Sequence, residues 1–139
     1  MLISKPYARQ TNYYETDQMG IIHHSNYIRW FEEARVHFLT EVGFTYEQSL
    51  SYGIDFAVLD VHCEYKSMVR FGDTVSIQVS LESFSKTRTK LNYLVTDIKT
   101  GEIRTVGSSS HCYYSAVLKR PVSLQKTIPE LYEILLEYV

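Results

Sequence analysis

A change of period at mid-chain constrains the fold of this sequence more than any other feature. Tyr27, Trp30, Phe31, Ala34, Phe38 and Val42 recur at spacings of three and four, which is one face of a helix about four turns long. From Asp55 onward the period becomes two. Leu59, Val61, Cys63 and Tyr65 alternate with Asp60, His62 and Glu64, and Val75, Ile77, Val79 and Leu81 alternate with Ser76, Gln78, Ser80 and Glu82. Leu91, Tyr93 and Val95 continue the pattern, and 102–117 is long enough for one bent strand, with Gly107 marking the bend. The alternation slips by one residue between Val58 and Leu59, which predicts a bulge or break there.

The remaining punctuation fits this frame. Tyr7 to Tyr14 reads as an opening strand, and 15–20 as a loop ending in Gly20. Ser25 or Asn26 is placed to cap the long helix, and Gly43 stands at its C-terminal cap. A short second helix is predicted from Thr45 to Tyr52, with a Thr45/Gln48 capping box and Gly53 at its end. A tail helix is predicted behind a Thr127/Glu130 box, with Ile128, Leu131, Leu135 and Tyr138 on one face. At 139 residues this is a single domain spanning 1–139. One long helix followed by long strands with no helix between them predicts an α+β architecture, an antiparallel sheet wrapped around a long central helix. A sheet curled in this way is a hotdog fold.

Composition excludes several classes of function. A net charge of −2 offers no basic field for nucleic acid. No apolar run approaches the length of a membrane span, and the first ten residues hold no apolar segment of signal-peptide length. Two cysteines, Cys63 and Cys112, are too few for a disulfide framework and sit in strand patterns as small core residues. The expectation is a cytoplasmic protein with reduced thiols. The content of 12 Tyr, 6 Phe and 1 Trp lets a small chain fill a core or an interface with few residues.

Candidate chemistry concentrates where the loop meets the long helix, at Glu15, Asp17, His23, His24, Ser25, Asn26 and Tyr27. The first N–H groups of a helix lack internal partners and the dipole there favours negative charge, so such a junction can stabilise an oxyanion. A nearby carboxylate, Asp17, can act as nucleophile or activate water, and His24 can bond substrate or orient the carboxylate. The same spacing also fits an Asx turn at Asp17 and a structural His24. Glu33 is near enough to be considered as a base, although Glu33 and Arg35 on such a helix also suit ion pairs.

The stretch from Tyr14 through Asp17, Gly20, His23 and His24 to Tyr27, continued by Trp30-Phe31-Glu32-Glu33-Ala34-Arg35 and by Arg70-Phe71-Gly72-Asp73, resembles the 4-hydroxybenzoyl-CoA thioesterase-like acyl-CoA thioesterases. The resemblance covers nearly the whole domain. It implies a hotdog-fold enzyme that hydrolyses acyl-CoA to free acid and CoA, without metal or other cofactor, as a homodimer or homotetramer. It implies Asp17 as the catalytic carboxylate with His24 beside it, and Gly20, His23, Asn26 and Tyr27 in the substrate site. His23 departs from the Tyr or Phe commoner in the family and bears on acyl preference. Met68 stands where Pro or Ala is commoner.

Other constellations are weaker. Adjacent His23 and His24 do not converge on one ion, and no His or Cys pair has zinc spacing. No Gly-x-Ser-x-Gly elbow occurs. CoA phosphates call for cations, for which Arg70, Lys86, Arg88, Lys90 and Arg120 are candidates. Lys86, Arg88 and Lys90 alternate, so one strand would carry all three on one face, either as a phosphate contact or as a charged solvated edge. A non-catalytic acyl-CoA-binding or sensor module on the same fold is the alternative function. Hydration of an unsaturated acyl-CoA would need a different Asp/Glu–His arrangement.

Overall fold

The computed structural model describes residues 2–139. Strand β1 (Tyr7–Gln10) leads through a 3-10 turn (Tyr13–Glu15) to helix α1 (Ser25–Glu41) and the short α2 (Tyr46–Ser51). Four long strands follow: β2 (Ile54–Tyr65), β3 (Thr74–Phe84), β4 (Arg88–Asp97) and β5 (Ile103–Ser115). The chain ends with β6 (Arg120–Pro121), α3 (Leu124–Thr127) and α4 (Pro129–Leu136). The sheet is antiparallel in the order β1-β3-β4-β5-β2, with β6 paired to β5. The predicted slip is present, since the β2–β5 register shifts between Val58 and Asp60 and leaves Leu59 as the extra residue.

Helix α1 packs against the sheet, in contact with β1, β2 and β3. Trp30, Phe31 and Ala34 are fully buried, against sheet residues such as Ile77, Val95 and Tyr113 that are buried to the same degree. Phe31 stacks on Tyr93 with ring centroids 4.2 Å apart and planes within 6°. Gly107 allows that approach. A Cβ there would stand 2.5 Å from two Phe31 ring carbons, so Gly107 marks the place where helix and sheet nearly touch.

Three local expectations are corrected. The opening strand stops at Gln10 rather than running to Tyr14, because Glu15 bends the chain back by accepting the Asn12 N–H at 2.8 Å. Neither Ser25 nor Asn26 is the cap of α1. His24 holds that position without a side-chain cap, and the His23 imidazole supplies the acceptor, taking the Ser25 N–H at 3.2 Å. In the tail, Thr127 closes α3 and caps nothing: Ile128 precedes α4, Pro129 starts it, and Ser123 caps α3 by accepting the Lys126 N–H. Proline at the first helical position gives up no hydrogen bond there. Ile128, Leu131 and Leu135 are buried as expected, and Tyr138, beyond the helix end, packs edge-on against Phe38. The Thr45/Gln48 box of α2 and the left-handed Gly43 and Gly53 match the sequence reading.

Candidate active site

The loop between the 3-10 turn and α1 is a small hairpin. Thr16 bridges Ile22, the Asp17 N–H donates to the Ile21 carbonyl at 2.9 Å, and Gly20 closes the turn at φ 76° by donating to the Asp17 carbonyl. Ile21 in turn bridges Arg70, and the Ile22 N–H donates to the Val69 carbonyl at 2.8 Å. The loop is therefore sewn to the β2–β3 connection.

Glu15 anchors the base of this hairpin. It is buried, and its carboxylate accepts from Arg9 Nη1 at 2.7 Å, Trp30 Nε1 at 2.9 Å and the Asn12 N–H. Burial opposes its charge, but the bonds from Arg9 and then Trp30 outweigh that and hold its pKa below the usual carboxylate range. Asn26 is turned to the same purpose, its amide donating to the Glu15 and His23 carbonyls at 3.0 and 3.2 Å. The structure thus uses Asn26 to hold the loop on the helix. Glu33 is engaged elsewhere, accepting from Arg9 Nε at 2.6 Å and Tyr7 Oη at 3.0 Å, which favours the ion-pair reading over a base.

A cavity of about 350 Å³ opens where the hairpin, the start of α1 and the end of β2 meet. Asp17, Met19, His24, Tyr27, Tyr65 and Met68 are among its walls. Asp17 accepts the Met19 N–H on Oδ1 at 2.8 Å, forming the Asx turn, and Oδ2 carries no hydrogen bond among the described residues. Helix α1 begins at the same place. The Tyr27 N–H has no hydrogen-bond partner among the described residues, as the first turn of a helix dictates. His24 stacks on His23 at 4.2 Å, and His23 Nδ1 is occupied by Ser25. Tyr65 donates to the His24 carbonyl at 3.0 Å and meets Tyr27 edge-on at 5.1 Å. Burial pushes the phenols of both Tyr27 and Tyr65 up to about 12, so both stay protonated at neutral pH.

Tyr65 is the wall that sequence reading passed over. It appeared only as the last apolar residue of an alternating strand, and its place beside α1 follows from the β2–β5 register, Tyr65 opposite Thr105. Of the expected cations, Arg70 lies at the rim through its bridge to Ile21. Arg88 does not join the site of its own chain. It pairs with Cys112, seven residues along β5 from Thr105, which is about 24 Å at the rise of a strand. Lys86 sits in the β3–β4 turn rather than on the strand, and Lys90 is paired with Glu82 at 3.0 Å.

A second cavity, of about 290 Å³, lies farther along α1 beside Arg35, Phe38, Leu39, Leu91 and Leu135. It has neither the free helix N–H nor the Asp17 and His24 side chains among its walls.

The sequence profile of the thioesterase-like superfamily matches residues 12–133, which span the hairpin, α1 and every long strand. The chain belongs to the thioesterase-like superfamily. This thioesterase is 38% identical to a protein of Aquifex aeolicus (strain VF5) provisionally assigned as an esterase, over 108 residues covering 76% of this chain and 81% of the relative. YneP of Bacillus subtilis (strain 168), provisionally assigned as an acyl-CoA thioesterase, is 29% identical over 121 residues, 87% of each chain. The crystal structure of a DHNA-CoA thioesterase from Staphylococcus aureus superposes with a TM-score of 0.92 at 29% identity, covering 99% of this chain and 91% of that one. The fold is accordingly the hotdog fold, and the chain is an enzyme of thioester hydrolysis.

Proposed function

We propose that this thioesterase hydrolyses acyl-CoA in the cavity that holds Asp17. The observation that carries the reading is the pairing of a carboxylate with one free oxygen, Asp17 Oδ2, and an unpartnered helix N–H at Tyr27 on the same cavity. The thioester carbonyl takes the Tyr27 N–H as its oxyanion donor, where the α1 dipole adds to the stabilisation. Asp17 Oδ2 removes a proton from water as the hydroxide adds to the carbonyl carbon, or attacks that carbon itself to form an anhydride that water then cleaves. The tetrahedral adduct collapses, the C–S bond breaks, and CoA leaves as a thiolate that needs little help, since thiols ionise near pKa ~8.5. His24 shares the cavity wall with Asp17 as a donor to substrate, Gly20 keeps the turn open to the acyl group, and His23 stacks behind His24.

The walls Met19, Ile21, Tyr27, Tyr65 and Met68 are apolar or aromatic, and the cavity is at the small end of ligand sites. A compact or ring-bearing acyl group fits them better than a long chain. The DHNA-CoA specificity named for the Staphylococcus aureus neighbour points the same way.

The working unit is a homodimer. Strand β2 is 12 residues long, pairs only with β5 among the described residues, and leaves Val58 and Leu59 about half exposed beside a free edge. Proteins cover such edges, and a twofold pairing of two β2 strands does so. Arg88 can serve CoA only from the partner copy in such a dimer.

The deciding experiment is Asp17→Asn, assayed for thiol release from a panel of acyl-CoAs. Asn keeps the Asx turn and removes the charge. Turnover is expected to fall by about 10²–10⁴ or more with the melting temperature nearly unchanged. A variant within tenfold of the parent would overturn the assignment. A single turnover in ¹⁸O water separates the two routes, since only the anhydride route leaves label in Asp17.

A further inference from the structure

The residue that opens α1 is held from the sheet rather than by a cap of its own. His24 precedes the helix at φ −56° and ψ −26°, helical where a capping residue is usually extended, and its side chain caps nothing. One side-chain hydrogen bond reaches His24 among the described residues: Tyr65 Oη donates to its carbonyl at 3.0 Å. The His24 ring lies on the cavity wall and is placed by packing alone. It stacks on His23 with centroids 4.2 Å apart, and the Tyr65 ring meets it edge-on at 6.3 Å and 80°.

Tyr65 is suited to hold rather than to react. The β2–β5 ladder fixes its backbone opposite Thr105, and its ring also leans edge-on against Tyr27 at 5.1 Å. At 49% exposure it fills no core. Its phenol stays protonated across the neutral range, and its proton is committed to the His24 carbonyl instead of to a substrate. An exposed imidazole without hydrogen bonds otherwise turns among staggered rotamers. A reacting group displaced by only about 1 Å can cost about 10²-fold in rate, so a ring that must meet the thioester needs such a hold.

We propose that Tyr65 is a positioning residue for hydrolysis: by tying the His24 carbonyl to the end of β2 and laying its ring edge against the imidazole, it keeps the His24 ring in the orientation that meets the thioester. The inference rests on the reading of His24 as a donor to substrate given above. It extends the working site from the loop and the helix to the sheet.

Tyr65→Phe keeps the ring and removes only the bond to His24. It is expected to lower kcat for the best acyl-CoA about tenfold to a hundredfold, with KM within about threefold and the melting temperature nearly unchanged. In a His24→Ala protein the same substitution is expected to change nothing further, because the group it acts through is gone. An equal fall in both backgrounds overturns the inference, as does a Tyr65→Phe protein that melts markedly lower or changes its sedimentation. Parental turnover in Tyr65→Phe removes this inference alone, whereas parental turnover in His24→Ala removes the donor reading and the inference with it. A second measurement needs no turnover. The Hα–Hβ couplings of His24 are expected to report one rotamer in the parent and an average of several in Tyr65→Leu, which lacks both the bond and the ring edge. A parent already averaged, or a variant still fixed, overturns the inference whatever the kinetics.

Discussion

Glu15 and Asp17 are two residues apart, and their surroundings assign them different work. Glu15 is 3% exposed and wrapped in donors from Arg9, Trp30 and Asn12, so it holds the loop and has no oxygen to spare for a substrate. Glu15→Gln keeps the shape, leaves Arg9 with a weaker partner, and is expected to cost about 2–4 kcal/mol in denaturant unfolding. A second buried group sets the acid limit. His111 is fully buried, its Nε2 2.7 Å from Ser109 Oγ, which is 2.6 Å from Tyr93 Oη, which accepts from Arg35 at 3.2 Å. Burial and then the Arg35 charge push its pKa down to about 4. The unfolded chain takes up that proton near pH 6.5 and the native chain does not. Stability therefore falls as the pH drops from about 6.5 towards 4, by up to ~3 kcal/mol, and this contribution levels off below. Glu15 adds a further loss at lower pH, as its depressed folded pKa is reached. Urea midpoints at pH 7 and pH 4.5 test this: His111→Gln is expected to remove most of the difference, and an unchanged difference would reject the assignment.

At the scale of elements, the contact between α1 and the sheet positions the site. Phe31 is one helical turn beyond Tyr27, so whatever moves Phe31 moves the Tyr27 N–H with it. Gly107→Ala puts a methyl group 2.5 Å from the Phe31 ring and 2.9 Å from the His62 carbonyl. Overpacking of this kind costs about 1–3 kcal/mol, and more where backbone must yield. The expected outcome is a lower urea midpoint together with a lower kcat, while Gly101→Ala, strained at φ 74° but remote from the helix, lowers stability alone. Equal kcat in both variants would separate the helix seat from catalysis.

For the whole molecule, the unpaired edge of β2 is the feature that a lone copy leaves unresolved. Sedimentation at micromolar concentration is expected to give a dimer or a multiple of it rather than the 16.2 kDa monomer. Leu59→Lys, at the bulge of that edge, is expected to shift the distribution towards monomer. A parent that sediments as monomer would remove the dimer. It would also remove any part for Arg88, which lies about 24 Å along the sheet from its own chain's site.

The switch in hydrophobic period determined the layers, the long helix, the four strands and even the bulge at Leu59, because burial of one face is written locally in side-chain spacing. The meeting of Asp17 and His24 on one cavity was legible for a similar reason, since loop and helix start are neighbours in sequence. Helix caps and the end of β1 were decided by tertiary structure, because Glu15, His23 and Ser123 took acceptor roles that spacing assigned to other residues. Tyr65 reached the cavity, and Arg88 moved away from it, through strand register. Register joins residues about forty apart, such as Tyr65 and Thr105, and no local pattern records which of them will be opposite.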